Sequence, residues 1–160
     1  MLKARSVWSE PKKDDGLRIL ATRFRGRGLP TSQYDVWMPS LGPSEQLLKS
    51  VQSGEIDWKA FTKRYRDELF LDGPIDDRSE TIKNHGQKSA LRLIKALGAK
   101  QNVTLMCHCD EDATECHRFL LLKEIQKSCS TRSSHAVPLA LLWLLSRRIQ
   151  AYYSLTGQSC

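Results

Sequence analysis

Three thiols, two imidazoles and a guanidinium fall in the twelve residues from Cys107-His108-Cys109 to Cys116-His117-Arg118. Thiolates and imidazoles act as nucleophiles, proton carriers and metal ligands, and a guanidinium binds anions. Three readings stay open for this segment. In the first, Cys116, His117 and Cys107 are catalytic candidates at an anion site, with a thiol as nucleophile and His117 moving protons near neutrality. In the second, Cys107, Cys109, Cys116 and His117 are four ligands of a tetrahedral zinc ion, although the paired Cys-x-x-Cys spacing of a zinc knuckle is absent. In the third, the cysteines are buried packing residues. The acids Asp110, Glu111, Asp112 and Glu115 lie in the same segment and work against ionising a thiol. None of the three cysteines is followed six positions later by Arg, so a phosphatase-type loop is excluded.

These side chains need elements to hold them. Val103 to Cys107 reads as a short apolar strand, and alternation sets Cys107 and Cys109 on one side and His108 on the other. Asp112 followed by Glu115 has capping-box spacing. A helix is therefore expected from near Ala113, with Cys116, His117 and Arg118 in its first turn. The free N–H groups and the dipole of that turn favour an anion or a thiolate. A second basic constellation follows an upstream strand, Arg18 to Phe24: Arg23, then Arg27 beside Gly28. Arg23, Arg27 and Arg118 are the candidate ligands of a small anionic, phosphorylated or nucleotide-like molecule.

The remaining elements alternate between strand and helix. Lys3 to Trp8 and Tyr34 to Met38 read as short strands. Ser44 caps a helix whose buried stripe is Leu47, Leu48 and Val51, and Gly54 ends it. Asp57 caps a second helix, with Trp58, Phe61, Tyr65 and Leu69 on one apolar face. A third helix is expected from near Ser79 to Leu97, weakened at Gly86. This rhythm predicts an α/β fold, a small and mostly parallel sheet flanked by helices, with an extra C-terminal helix. Residues 1–127 form the domain and 128–136 a polar linker. Residues 137–160 form an apolar helix and tail, with Pro138 in the first turn. That helix is apolar nearly all round over 137–145 and needs a cover. The candidates are the domain itself, a second copy of the chain in a homo-oligomer or, given Arg147 and Arg148, a membrane surface.

The 160 residues are 40% hydrophobic and 27% charged, with a mean hydropathy of −0.46, as a globular chain with one core requires. No apolar run approaches the roughly 20 residues of a bilayer span, and Met1 to Glu10 lacks the apolar stretch of a signal peptide. A cytoplasmic location is expected. The five cysteines, Cys107, Cys109, Cys116, Cys129 and Cys160, are odd in number and clustered, which makes a poor disulfide framework. The net charge of +7 sits at the ends: residues 1–30 carry eight Lys/Arg against three Asp/Glu, and residues 131–160 carry three Arg and no acid. Those basic ends make a nucleic-acid-binding accessory protein a further alternative, though no recognised nucleic-acid motif accompanies them.

Taken together, these motifs resemble the YeaO-like proteins of domain-of-unknown-function family 488. The resemblance rests on Asp14-Asp15-Gly16-Leu17-Arg18-Ile19-Leu20, Arg23, Arg27-Gly28-Leu29, Asp35 with Trp37, and Leu41 with Pro43-Ser44. It continues through the Phe61/Tyr65/Leu69 helix and Val103-Thr104-Leu105-Met106-Cys107 to Cys116-His117-Arg118, and covers about Lys3 to Ile125. Arg25-Gly26 stands where the family carries Trp-Pro. The resemblance implies a compact α/β domain with Cys107, Cys116, His117, Arg118, Arg23 and Arg27 as shared polar positions. It supplies no activity.

Overall fold

The computed structural model describes residues 1–73 and 85–127. Within them the strands are β1 (Leu2–Ser6), which begins one residue before and ends two residues short of the expected Lys3–Trp8, β2 (Leu17–Leu20), β3 (Val36–Trp37) and β4 (Val103–Cys107). All pair in parallel, in the order β1-β4-β2-β3. β4 has a neighbour on each side and is buried at every position. Its sequence, Val-Thr-Leu-Met-Cys, is accordingly apolar almost throughout rather than alternating. The register sets Ile19 beside Leu105, Leu20 beside Met106 and Ser6 beside Cys107.

The pleat sorts these side chains into two faces. Leu17, Ile19, Val103 and Leu105 join one core cluster with all four helices: α1 (Glu45–Gln52), α2 (Trp58–Leu69), α3 (Lys88–Gly98) and α4 (His117–Lys127). Phe61, Tyr65 and Leu69 of α2 fill its centre. On the opposite face Leu20 and Met106 pack with Val7, Leu29 and the half-buried Tyr34, which arrive on loops. The fold is thus a small, all-parallel α/β sheet.

Local chemistry starts α1 and α2 where residue type indicates. The Ser44 hydroxyl accepts the Leu47 N–H at 3.2 Å, and the Asp57 carboxylate accepts that of Ala60 at 2.7 Å. Ser44 also donates its own N–H to Glu68 at 2.8 Å, tying the start of α1 to the end of α2.

Other boundaries differ from the pattern. The third helix starts at Lys88, not near Ser79, and residues 74–84 lie outside the described ones. His85 (φ 47°) and Gly86 (φ 60°) are left-handed, which a right-handed helix cannot pass through. The fourth helix starts at His117 rather than near Ala113, so Cys116 precedes its first turn. β2 ends at Leu20 instead of Phe24, because the chain turns at Thr22, whose hydroxyl donates to the Phe24 carbonyl at 2.7 Å. The Tyr34–Met38 strand shortens to Val36–Trp37. The linker 128–136, the apolar segment 137–160, Cys129 and Cys160 lie outside the described residues. No helix among the described residues is long and apolar enough to cross a membrane.

The Asp14-Asp15-Gly16 motif fixes the turn into β2. The carboxylate of buried Asp15 accepts from one Arg5 nitrogen at 2.9 and 3.0 Å and from the Lys12 backbone N–H at 2.7 Å. Gly16 has φ 63°, and a Cβ there would lie 2.0 Å from the Asn102 carbonyl oxygen. Only glycine fits both the conformation and the space.

Candidate functional site

Cys107 closes β4, and Cys116 and His117 stand at the entry to α4, so the strand-to-helix reversal gathers the thiols and the imidazole. The Cys107 sulfur lies 3.4 Å from the sulfurs of Cys109 and Cys116 and 3.7 Å from Nδ1 of His117. Ligand atoms of Cys107, Cys116 and His117 all fall within 4.8 Å of one another, and the three residues are buried. Cys109 is only half-buried. Alternation sends His108 the other way, where its ring packs on Trp8 and Nε2 lies 3.2 Å from the Phe24 carbonyl oxygen.

His117 is held from two sides. Its Nε2 lies 2.7 Å from the Ala21 carbonyl oxygen, just past the end of β2. A carbonyl only accepts, so Nε2 carries the proton and the neutral ring presents an Nδ1 lone pair to the sulfurs. Tyr65 on α2 meets the ring edge-on at 5.8 Å and donates its hydroxyl to the Leu41 carbonyl. Burial pushes the His117 imidazole below its ordinary pKa.

The three thiols share charge unequally. The thiol bonds run from Cys116 to Cys107 and from Cys107 to Cys109, and with the positive Arg118 nearby they hold Cys109 below the ordinary thiol range against its burial. Cys107 is pushed upward by its bonds with Cys109 and Cys116 and by burial. Cys116 is pushed upward: the bond with Cys107 lowers it, but the neighbouring Cys109 sulfur and burial outweigh that. The cluster concentrates negative charge on its most exposed sulfur.

The arginines divide by role. Arg118 is fully buried and spends its guanidinium inside the protein. Nη1 donates to the Cys109 carbonyl at 3.0 Å, and Nη2 to those of Asp110 and Glu111 at 2.7 and 3.0 Å. It therefore clamps the loop that carries Cys109. Arg23 donates from Nε to Pro43 and from Nη2 to Gly42, at 3.1 and 2.9 Å. Arg27 is exposed on the following loop. The acid loop also points elsewhere. Burial opposes ionisation of Glu111, but the Ser6 N–H and Ser9 hydroxyl hold its carboxyl below the ordinary range.

A cavity of about 150 Å³ opens beside the cluster, at the carboxyl ends of β2 and β4. Cys107, Cys109 and His117 line it together with Arg23, Thr22, Phe24, Pro43, Leu48, Gln52 and His108. Of the three candidate anion-binding arginines, only Arg23 reaches this wall; Arg27, Arg118 and the candidate nucleophile Cys116 do not line it. Sequence reasoning missed Phe24, Leu48 and Gln52, which line the cavity only because the end of β2 and α1 converge on the end of β4, and it set His108 away from the cysteines, whereas His108 lines the same cavity. Trp37 and Pro43 did carry a signal, as part of the resemblance. The Trp37 indole donates to the Thr22 carbonyl at 2.8 Å and shapes the wall from outside.

No curated protein and no solved structure matches the chain. One family model, described as the active DUF488-N3 subclade, matches residues 2–129. That span holds every described strand and helix and the whole thiol and imidazole cluster. The chain belongs to the DUF488-N3a family.

Proposed function

We propose that the chain is a ligand-binding domain of enzyme type, whose cavity at the carboxyl ends of β2 and β4 receives the charged end of a small anionic molecule. A phosphorylated or nucleotide-like compound has the right chemistry. One observation carries the reading: the cavity of about 150 Å³ is walled by Arg23 and floored by Cys107, Cys109 and His117. Ligands of open parallel sheets collect at this end of the strands. Two donors of Arg23 hold the Gly42 and Pro43 carbonyls, which pre-organises the guanidinium to meet an anion with those that remain. Arg25 and Arg27, exposed and without an acidic partner among the described residues, add positive charge on the adjoining loop. In this reading His117 is the proton carrier, and Cys107 and Cys116 complete the reactive cluster.

The test is calorimetric titration of the whole chain with inorganic phosphate and with nucleoside monophosphates, compared with the uncharged nucleosides. Saturable binding of the phosphorylated compounds, weakened in Arg23→Lys and in the double variant Arg25→Ala/Arg27→Ala, is the expected result. Equal binding of nucleosides and nucleotides, or no binding of either, would overturn it.

A further inference from the structure

We propose that Cys107, Cys116 and His117, with Cys109 as a fourth ligand on the cavity side, form a tetrahedral site for a zinc ion. This goes beyond the anion reading and does not depend on it: with zinc bound, Cys107, Cys116 and His117 are ligands in place of the reactive groups named there, and only the binding of an anion beside Arg23 carries over.

Geometry is the first argument. Zinc bonds to sulfur at about 2.3 Å and to imidazole nitrogen at about 2.0–2.1 Å. A tetrahedron with those bonds separates two sulfurs by about 3.8 Å and a sulfur from a nitrogen by about 3.5 Å. The separations here are 3.4, 3.4 and 3.7 Å. The two sulfur pairs are a few tenths of an ångström short of this, the ligand atoms of Cys107, Cys116 and His117 lie within 4.8 Å of one another, and Cys109 adjoins the three through its contact with Cys107. The donor set is the second argument. Thiolates and imidazole are soft or borderline ligands that select zinc-like cations over magnesium or calcium.

The surrounding shell is the third argument. A metal-ligating histidine needs its far nitrogen fixed by an acceptor, so that the near one offers a lone pair. Ala21 supplies that acceptor at 2.7 Å, leaving Nδ1 toward the sulfurs. The Cys109 N–H points at the Cys107 sulfur at 3.4 Å, as thiolate ligands commonly require of a nearby amide. Zinc with three thiolates and a neutral imidazole carries one negative charge. Arg118, fully buried and bonded to the Cys109 carbonyl, carries the compensating positive one. The site is also asymmetric. Three ligands are buried, whereas Cys109 is half-buried and faces the cavity. Cys109 is therefore the ligand that an incoming molecule would meet.

The whole chain, produced with zinc supplied and purified without chelator, should hold about one zinc per chain by elemental analysis. Replacing zinc with cobalt(II) should give the intense visible bands of a tetrahedral ion and near-ultraviolet charge transfer from three thiolates. Cys116→Ser should lose the metal. Cys109→Ser, at a half-exposed position that folding tolerates, should keep tetrahedral cobalt while losing about one third of the charge-transfer intensity. Three results would each overturn the assignment: a chain with no zinc and a silent cobalt spectrum, a cobalt spectrum unchanged in both variants, or a disulfide within the cluster under reducing conditions. Phosphate titration of zinc-loaded and zinc-stripped chain separates the two proposals. Metal without anion binding removes only the cavity reading, and anion binding without metal removes only this one.

Discussion

Among single residues, Arg118 departs furthest from what its chemistry suggests in isolation. A guanidinium beside two cysteines and a histidine reads as an anion ligand. In the structure its donors go to three consecutive loop carbonyls, and the side chain is fully buried. No pattern of residue types reveals this, because periodicity says which face a side chain takes and not what it finds there. Arg118→Ala removes three charge-assisted bonds and leaves carbonyls unpaired. We expect a loss of about 2–4 kcal/mol in urea unfolding, with Arg118→Lys recovering only part, since a single ammonium nitrogen does not reproduce the two-nitrogen fork that meets the three carbonyls. An alanine variant within about 0.5 kcal/mol of the parent would contradict the clamp. Glycines give a paired test on the neighbouring loop. Gly26 and Gly28 are both left-handed, at φ 85° and 77°. A Cβ on Gly26 would come within 2.8 Å of the His108 ring, whereas one on Gly28 meets nothing within 4 Å. Alanine at either position should cost about 1 kcal/mol of backbone strain. Only Gly26→Ala should also displace His108, seen as a shift of its imidazole signals in NMR spectra; equal spectra for the two variants would count against the packed loop.

At the scale of elements, legibility followed the range of the interaction. Ser44 and Asp57 cap their helices through bonds three residues long, and the sequence alone locates both. Asp112 and Glu115 imitate the same code without starting a helix, because Arg118 gathers the 109–111 carbonyls and sets the first turn at His117. The strands were legible, whereas the order β1-β4-β2-β3 was not, since pairing joins residues about a hundred apart. The Arg18–Asp35 pair shows such a long-range tie titrating. It links β2 to the start of β3: Arg18 donates from Nη2 at 2.7 Å and from its backbone N–H at 2.8 Å. Arg18 holds the Asp35 carboxyl below the ordinary carboxylate range. A depressed folded pKa means that the tie is fully present above the unfolded value of about 3.9 and fades as pH falls through the folded one. The carboxylate is 38% exposed, so solvent screening keeps the effect small. Asp35→Asn should be modestly less stable at neutral pH and should lose less stability than the parent below about pH 4. Identical slopes on the acid side would show that the pair does not hold β3.

The whole molecule raises the question of how much chain the site requires. Residues 1–130 form one compact unit, and the family match ends at 129. The main core cluster draws on side chains from Leu2 to Ile125, with α4 contributing Leu121 and Ile125. The cavity draws on residues from Thr22 to His117. Every described group that the proposals use therefore precedes residue 128. A domain of this size with a continuous apolar core ordinarily unfolds in one cooperative step. We expect a chain ending at residue 130 to unfold cooperatively in urea, to leave the dye-binding fluorescence of exposed apolar surface low, and, although it lacks Cys160, to keep the labelling rates of Cys107, Cys109 and Cys116 read residue by residue by mass spectrometry. A non-cooperative transition with strong dye binding is the signature of a collapsed state without fixed packing. That outcome would mean that the 30 residues of the second unit, Thr131–Cys160, are needed to complete the core.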